Sequence, residues 1–231
     1  MSEYRHEYKY QCEMQKMLCI RNKIEPMMQL DNNVGEDGTY TIRSLYFDDY
    51  DNRCFYENVN GTDPREKFRI RVYNGDVSFI KLELKQKKRG KTKKLSCRLT
   101  EELCRRAMNG ENLPIDAIDS SVYRKFCLQQ GTRLLRPKVI VEYDRVPFVY
   151  EDGNVRVTLD LNIRSADRTE LFLEKQISSR LVMPNNQHIL EVKFDEYIPD
   201  FIYRSVQTEN LRQTTFSKYY MCRKYAMGGI I

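Results

Sequence analysis

The chain has 231 residues, 41% of them hydrophobic and 31% charged, with a net charge of +6. That is enough chain for a core of its own, and the balance excludes a disordered polymer. No run nears the roughly 18 apolar residues of a membrane-spanning helix, and two histidines exclude a three-histidine metal site.

In chain order, residues 4–10 (Tyr-Arg-His-Glu-Tyr-Lys-Tyr) alternate as a strand, with Arg5, Glu7 and Lys9 on one face. Met14, Met17 and Leu18 then recur at helix spacing over 12–25, with Pro26 near the end. After an Asn- and Gly-rich loop, 40–47 reads as a strand closed by Asp48-Asp49, and 51–60 as a short helix or turn. Lys67-Phe68-Arg69-Ile70-Arg71-Val72-Tyr73 alternates strictly between charged and apolar. Asn74-Gly75 marks a tight hairpin into a partner strand over 77–86. A turn at 87–90 leads to a strand over 91–99, and Thr100 caps a helix over 101–108. A further helix is expected over 115–130. The second strand series covers 138–149, 155–163, a short piece at 170–174, and 188–194. Helices near 200–208 and 216–226 close the chain. One domain over residues 1–231 is expected, without repeats or linkers.

Strands joined by hairpins with few crossovers imply an antiparallel sheet closed on itself, an α+β barrel tunnel of about eight strands with helices packed outside. Seven scattered cysteines without CxxC spacing read as buried or free thiols in a reducing cytoplasm, and the N-terminus lacks a signal-peptide core.

The charge is local. Residues 65–98 carry thirteen Lys/Arg against three Asp/Glu, so this stretch is +10 and the remainder −4. On its strand, Lys67, Arg69 and Arg71 form a face of three cations with no acid among them, and like charges side by side repel. The pattern recurs at Lys81/Glu83/Lys85, Tyr143/Arg145, Arg156/Thr158/Asp160 and Glu191/Lys193. If these faces point inward together, they line a cationic tube. Such a tube suits a linear phosphate chain, because guanidinium groups fork onto phosphate oxygens and ammonium groups supply point charge. The interspersed carboxylates suit a hard divalent metal, magnesium or manganese. Lys87, Lys88, Arg89 and Lys91 read instead as a solvated hairpin tip. Glu7 is either a metal ligand or the partner of a neighbouring cation. Glu83 reads as a structural partner of the lysines beside it, and Asp160 is open.

The segments Arg-His-Glu-Tyr-Lys-Tyr (5–10), Ser-Leu-Tyr-Phe-Asp (44–48), Lys-Phe-Arg-Ile-Arg-Val-Tyr (67–73), Leu-Glu-Leu-Lys (82–85), Pro-Lys-Val-Ile-Val-Glu-Tyr-Asp-Arg (137–145), Val-Arg-Val-Thr-Leu-Asp (155–160), Leu-Glu-Val-Lys (190–193) and Ser-Lys-Tyr (217–219) follow one another in a familiar order. Together they resemble the polyphosphate polymerase domain of the vacuolar transporter chaperone (VTC) family, among the triphosphate tunnel metalloenzymes. The resemblance implies transfer of the terminal phosphate of ATP onto inorganic polyphosphate, with Mn2+ or Mg2+. It implies phosphate-binding roles for Lys9, Arg69, Arg71, Lys85, Arg145, Arg156 and Lys218, with Lys67 and Lys193 beside them. It also implies polar contacts from Tyr143 and Ser217 and a metal ligand in Glu191. For the strand after Lys85 the matching cation is Lys94, with Lys93 the alternative. Hydrolases of this tunnel class usually begin Glu-x-Glu-x-Lys. Here Arg5 stands at the first position, nearer the polymerase branch. The family's separate phosphate-sensing domain and membrane spans have no counterpart in this sequence, so any membrane partner would be a separate polypeptide. The rival expectations are a triphosphate hydrolase and a polyphosphate-binding module without turnover. Nucleic-acid binding is disfavoured by the lack of a recognition helix or stacking motifs.

Overall fold

The computed structural model describes residues 4–207 and 211–228. Eight strands follow one antiparallel path. They are β1 (His6–Glu13), β10 (Gln187–Phe194), β8 (Val155–Ala166), β7 (Arg136–Tyr150), β3 (Tyr40–Asp48), β4 (Arg65–Tyr73), β5 (Asp76–Lys88) and β6 (Lys91–Leu99). Two short strands, β2 (Gln29–Leu30) and β9 (Arg180–Leu181), pair with β7 and β8. The sheet curls until its edges meet. Arg5 N donates to Thr92 O at 2.8 Å and Thr92 N returns to Arg5 O at 2.9 Å, an antiparallel bridge between the first and last strands of the path.

Local sequence accounts for the hairpins. Asn74 and Gly75 both have positive φ, 51° and 68°, the requirement of a two-residue turn that matches strand twist. Arg89 and Gly90 repeat this at 50° and 76° between β5 and β6. The two hairpins mark opposite ends of the barrel. On β4, Phe68, Ile70 and Val72 are at most 1% exposed and pack outward. They meet α3 (Glu101–Met108) and α4 (Ser121–Thr132) through Leu103, Ala107, Tyr123 and Phe126. Thr100 caps α3 by accepting from Leu103 N at 3.2 Å. A second outer core lies under α1 (Met14–Ile24) and α5 (Asp200–Val206), where Met17, Ile20 and Ile202 meet Val157, Leu190 and Val192. Residue 208 of the helix expected near 200–208 lies outside the described residues.

Three expectations need correction. The helix expected from 115 begins at Ser121; residues 115–120 form turns, with Ala117 N donating to Pro114 O, and Ser120 is the N-cap. The piece at 170–174 is no strand. It is a 3-10 turn over Thr169–Leu171 followed by buried Phe172, and its carbonyls are claimed by Arg43, which donates to Phe172 O and Glu174 O. Last, the helices do not all lie outside. α6 (Lys218–Ala226) packs on the lumen side, where Tyr219 and Cys222 meet Tyr46, Val139, Val141 and Ile163. Val139-Ile140-Val141 is apolar on both faces of β7, so its inner face needs cover. α6 supplies it at the Arg89–Gly90 end, beside α2 (Arg53–Val59).

Candidate functional site: a cationic lumen

Strand register decides which side chains meet. Arg69 stands opposite Glu83 on β5 and Tyr46 on β3; Arg71 stands opposite Lys81 and Ser44. Lys67 pairs with Lys85, and Lys85 with Lys94. Across the barrel Lys9 is opposite Glu191, Glu7 opposite Lys193, and Arg145 opposite Asp160. The lumen therefore gathers Lys9, Lys67, Arg69, Arg71, Lys85, Lys94, Arg145, Arg156, Lys193 and Lys218 around Glu7, Glu83, Asp160 and Glu191.

Three carboxylate hubs organise these cations. Glu83, wholly buried, accepts from Arg69 at 2.7 Å and from Lys94 at 3.2 Å, with Arg71 Nη1 3.7 Å away. Burial alone would raise its pKa; Arg71, Arg69 and Lys94 outweigh it and hold the carboxyl well below the usual range. Asp160, also wholly buried, takes a two-pronged grip from Arg145, 2.6 and 2.8 Å, and a third bond from Lys218 at 2.5 Å. Lys218 also lies over the Tyr143 ring at 4.6 Å, and Arg145 over the same ring at 5.3 Å. The third hub is the pair Glu7 and Glu191. Lys85 Nζ reaches both Glu7 oxygens, 2.7 and 2.8 Å. Lys9 lies 3.6 Å from Glu7 and 3.7 Å from Glu191, and Lys193 bonds Glu191 directly. Arg145 Nη2 is 3.9 Å from Glu191, which links the second hub to the third.

In the third hub burial works against both signs of charge. Burial pushes the Lys85 ammonium down to about 7, against the pull of Glu7. Burial likewise opposes ionisation of Glu7, but Lys85 and Lys9 bring its carboxyl down to about 2. Glu191 is held well below the usual range, the neighbouring Lys193 and Lys9 outweighing its burial. Apart from Arg156, whose partner is Asp31 at the rim, nine cations face four lumen carboxylates, so the grips satisfy only part of the positive charge. A bore with this excess of positive charge attracts anions of high charge density.

The α6 approach enters the site as well. Lys9 Nζ donates to Phe216 O at 2.8 Å, and Lys67 Nζ donates to Ser217 Oγ at 3.2 Å. Ser217 caps α6, accepting from Tyr220 N. Tyr219 OH donates to Asp48 at 2.5 Å, and Asp48 accepts from Cys54 N and Phe55 N at the start of α2. One carboxylate thus fixes both helices whose ends border the lumen.

Every residue expected at the site from the sequence lies on this lumen or its rim. Arg156 sits at the rim, bonded to Asp31 and 3.3 Å from Tyr40 OH. Between the two lysines of β6, Lys94 faces Glu83 whereas Lys93 lies over the Tyr4 ring. Glu7 is bonded by Lys85 and lies 3.6 Å from Lys9. Glu83 serves the arginines of β4 more than the lysines beside it. Arg5 turns to the rim, 2.7 Å from Asp195 and bonded to Asn154 O. Sequence reasoning missed Tyr46, whose hydroxyl accepts from Arg69 at 2.8 Å, and Ser44, whose hydroxyl accepts from Arg71 at 3.1 Å. Their spacing (Tyr40, Ser44, Tyr46, Asp48) was the available signal. It is masked because β3 is buried on both faces.

Among the described residues no group of three or more His, Cys, Asp or Glu stands together as a metal cage. Glu7 and Glu191 suit a different arrangement, in which a hard divalent ion takes one or two carboxylates and completes its shell with water and substrate phosphate. No helix among the described residues is long and apolar enough to cross a membrane.

A closed antiparallel barrel with a cation-lined bore defines the class: a tunnel-fold protein. The chain belongs to the VTC domain family, whose model matches residues 4–227. Among solved structures, HpAC1 from Hippeastrum, named as a candidate adenylyl cyclase and described as having a dominant triphosphatase activity, is similar with a TM-score of 0.58. It is 12% identical, and the match covers 98% of this chain and 97% of that one. A candidate adenylate cyclase from Bacillus halodurans is similar with a TM-score of 0.50 at 14% identity, covering 83% and 81% of the two chains. At these identities the likeness is one of fold. A search of curated proteins finds no match.

Proposed function

We propose that the chain transfers the terminal phosphate of ATP onto a growing inorganic polyphosphate chain within this lumen. The observation that carries the reading is the convergence of cations from seven strands and α6 on one bore of a VTC domain. Phosphoryl transfer needs little covalent help. It needs attacking and leaving oxygens in line and charge neutralised on the group in flight. Arg69 and Arg71, braced on Glu83, Tyr46 and Ser44, form one clamp. Arg145 and Lys218, braced on Asp160, form another. Lys9, Lys67, Lys85, Lys94 and Lys193 spread charge along the chain of phosphates, with Arg156 at the rim and with Ser217 and Tyr143 as polar contacts. A bound Mg2+ or Mn2+ would be held by Glu191 and Glu7 and would neutralise phosphate oxygens there. The lysines now bonded to these carboxylates would then turn to phosphate.

A second reading, hydrolysis of triphosphate with water as acceptor, is supported by the likeness to the Hippeastrum protein. Against it stands Arg5, which leaves the first position of the Arg5-x-Glu7-x-Lys9 series without a carboxylate. The distinguishing experiment is incubation of the purified protein with ATP and Mn2+ or Mg2+, with products resolved on a gel and by ADP and phosphate release. Long polymer with ADP supports the polymerase. Free phosphate without polymer refutes it in favour of hydrolysis. Tight binding with no ADP would leave only a binding module.

A further inference from the structure

The two ends of the barrel are lined differently. At the Arg89–Gly90 end the lumen positions of β4 and β5 pair Arg65 with Lys87 and Lys67 with Lys85, and α6 lies across the opposite wall. At the Asn74–Gly75 end, cations and aromatic rings interleave. Phe79 shares the lumen face of Lys81, Glu83 and Lys85, while its neighbour Ile80 is buried in the outer core. Phe79 is 38% exposed. The Lys81 ammonium lies 4.6 Å from its centroid and the Arg98 guanidinium 5.2 Å, with Arg98 held in place by donating to Ser78 O at 2.7 Å. Lys81 is also 6.0 Å from the Tyr73 ring, which lies 5.9 Å from the Arg71 guanidinium. A row of side chains therefore runs outward from the phosphate clamp: Arg71, Tyr73, Lys81, Phe79, Arg98.

We propose that this rim seats the purine base of the nucleotide, stacked on Phe79 and the Arg98 guanidinium, while its phosphates run inward to Arg71 and Arg69. The inference rests on the reading of the lumen as a triphosphate site. A flat ring bordered by a guanidinium plane is the surface on which bases stack whatever their sequence or edge. Phe79 lies two residues beyond Lys81, the register partner of Arg71, or about 7 Å along the strand. That leaves room for a sugar between base and first phosphate. On β4 and β5 the opposite end pairs cation with cation, which suits a phosphate chain, and its rings Tyr219 and Tyr4 already lie under Lys67 and Lys93.

The test compares ATP with inorganic tripolyphosphate, which has the phosphates and no base, by calorimetric titration of the wild type, Phe79→Ala and Phe79→Tyr. Base–aromatic stacking lost on alanine substitution corresponds to roughly 5- to 150-fold in affinity. Phe79→Ala should weaken ATP by that order and leave tripolyphosphate unchanged, and Phe79→Tyr should retain ATP binding. Equal weakening of both ligands, or an unchanged ATP affinity in a Phe79→Ala protein that melts like the wild type, overturns the base seat and leaves the lumen reading standing. Failure of the wild type to bind tripolyphosphate overturns the lumen reading and the seat with it.

Discussion

Asp160 offers the sharpest test of the lumen's electrostatics. Its carboxylate is wholly buried and is gripped by two cations, Arg145 at 2.6 and 2.8 Å and Lys218 at 2.5 Å. Asp160→Asn keeps the shape and removes the charge, so both cations are left facing each other in a desolvated wall. Breaking a buried pair by removing one partner costs about 3–5 kcal/mol. For a chain of this size each kcal/mol moves the melting temperature by about 2–4 °C, so a fall of roughly 6–20 °C is expected. The diagnostic part is the rescue. A phosphate anion supplies the charge that Asp160 no longer does. A ligand at one hundred times its Kd stabilises by about 2.7 kcal/mol. The variant should bind tripolyphosphate more tightly than the wild type and so regain more of its melting temperature at the same ligand concentration. Thermal melts followed by circular dichroism, with and without tripolyphosphate, read both effects. A variant that melts within about 2 °C of the wild type would mean that Arg145 and Lys218 are not buried against Asp160. A lowered melting point with no extra rescue would mean that the two cations do not face the ligand.

The remaining predictions concern other parts of the same frame. Arg69→Ala should lower the turnover of ATP by roughly 10²–10³-fold, as for loss of one preorganised charge stabiliser, with the fold unchanged by circular dichroism; full turnover in the variant would remove Arg69 from the machinery. Glu7 sets a pH dependence. Its folded pKa, about 2, lies below the ordinary value of 4.5, so its stabilising effect is complete above pH 4.5 and is lost as pH falls toward 2. Over that window denaturant-derived stability should fall less steeply in Glu7→Gln, by up to about 1.4 kcal/mol per pH unit, and equal slopes in the two proteins would contradict the depressed pKa. Gly153, with φ of 72°, leaves no room for a methyl group: a Cβ there would stand 2.5 Å from the backbone O of Tyr197. Gly90, at φ 76°, has open space. Gly90→Ala should cost about 1–2 kcal/mol of backbone strain, and Gly153→Ala clearly more, as measured by urea unfolding; a smaller loss at Gly153 would show that the β8–β10 corner yields.

Much of this molecule is written in short-range pattern. Strict alternation over 67–73 places Phe68, Ile70 and Val72 on one face and Lys67, Arg69 and Arg71 on the other, because a strand turns successive side chains to opposite sides whatever it packs against. Asn74-Gly75 needs positive φ at two adjacent residues and so dictates a hairpin, and the hydroxyl of Thr100 starts α3 for an equally local reason. These features, with the excess of cations over 65–98, need no tertiary contact to be read: strands, hairpins, and a face of like charges that repel one another.

Which carboxylate answers which cation was decided only in three dimensions. Arg145 and Asp160 are fifteen residues apart, Lys85 and Glu7 seventy-eight, Lys218 and Asp160 fifty-eight. Barrel register and closure bring them together, and neither has a local signature. Tyr46 and Ser44 escaped notice because β3 is buried on both sides, which erases the alternation that exposes a lumen face elsewhere. The same holds for α6. Helix periodicity over 216–226 says that a helix forms, but its place inside the barrel depends on the apolar inner face of Val139 and Val141, some eighty residues earlier in the chain. Local geometry is carried by neighbours in sequence; the charge balance of the bore is a sum over strands that meet only when the sheet closes.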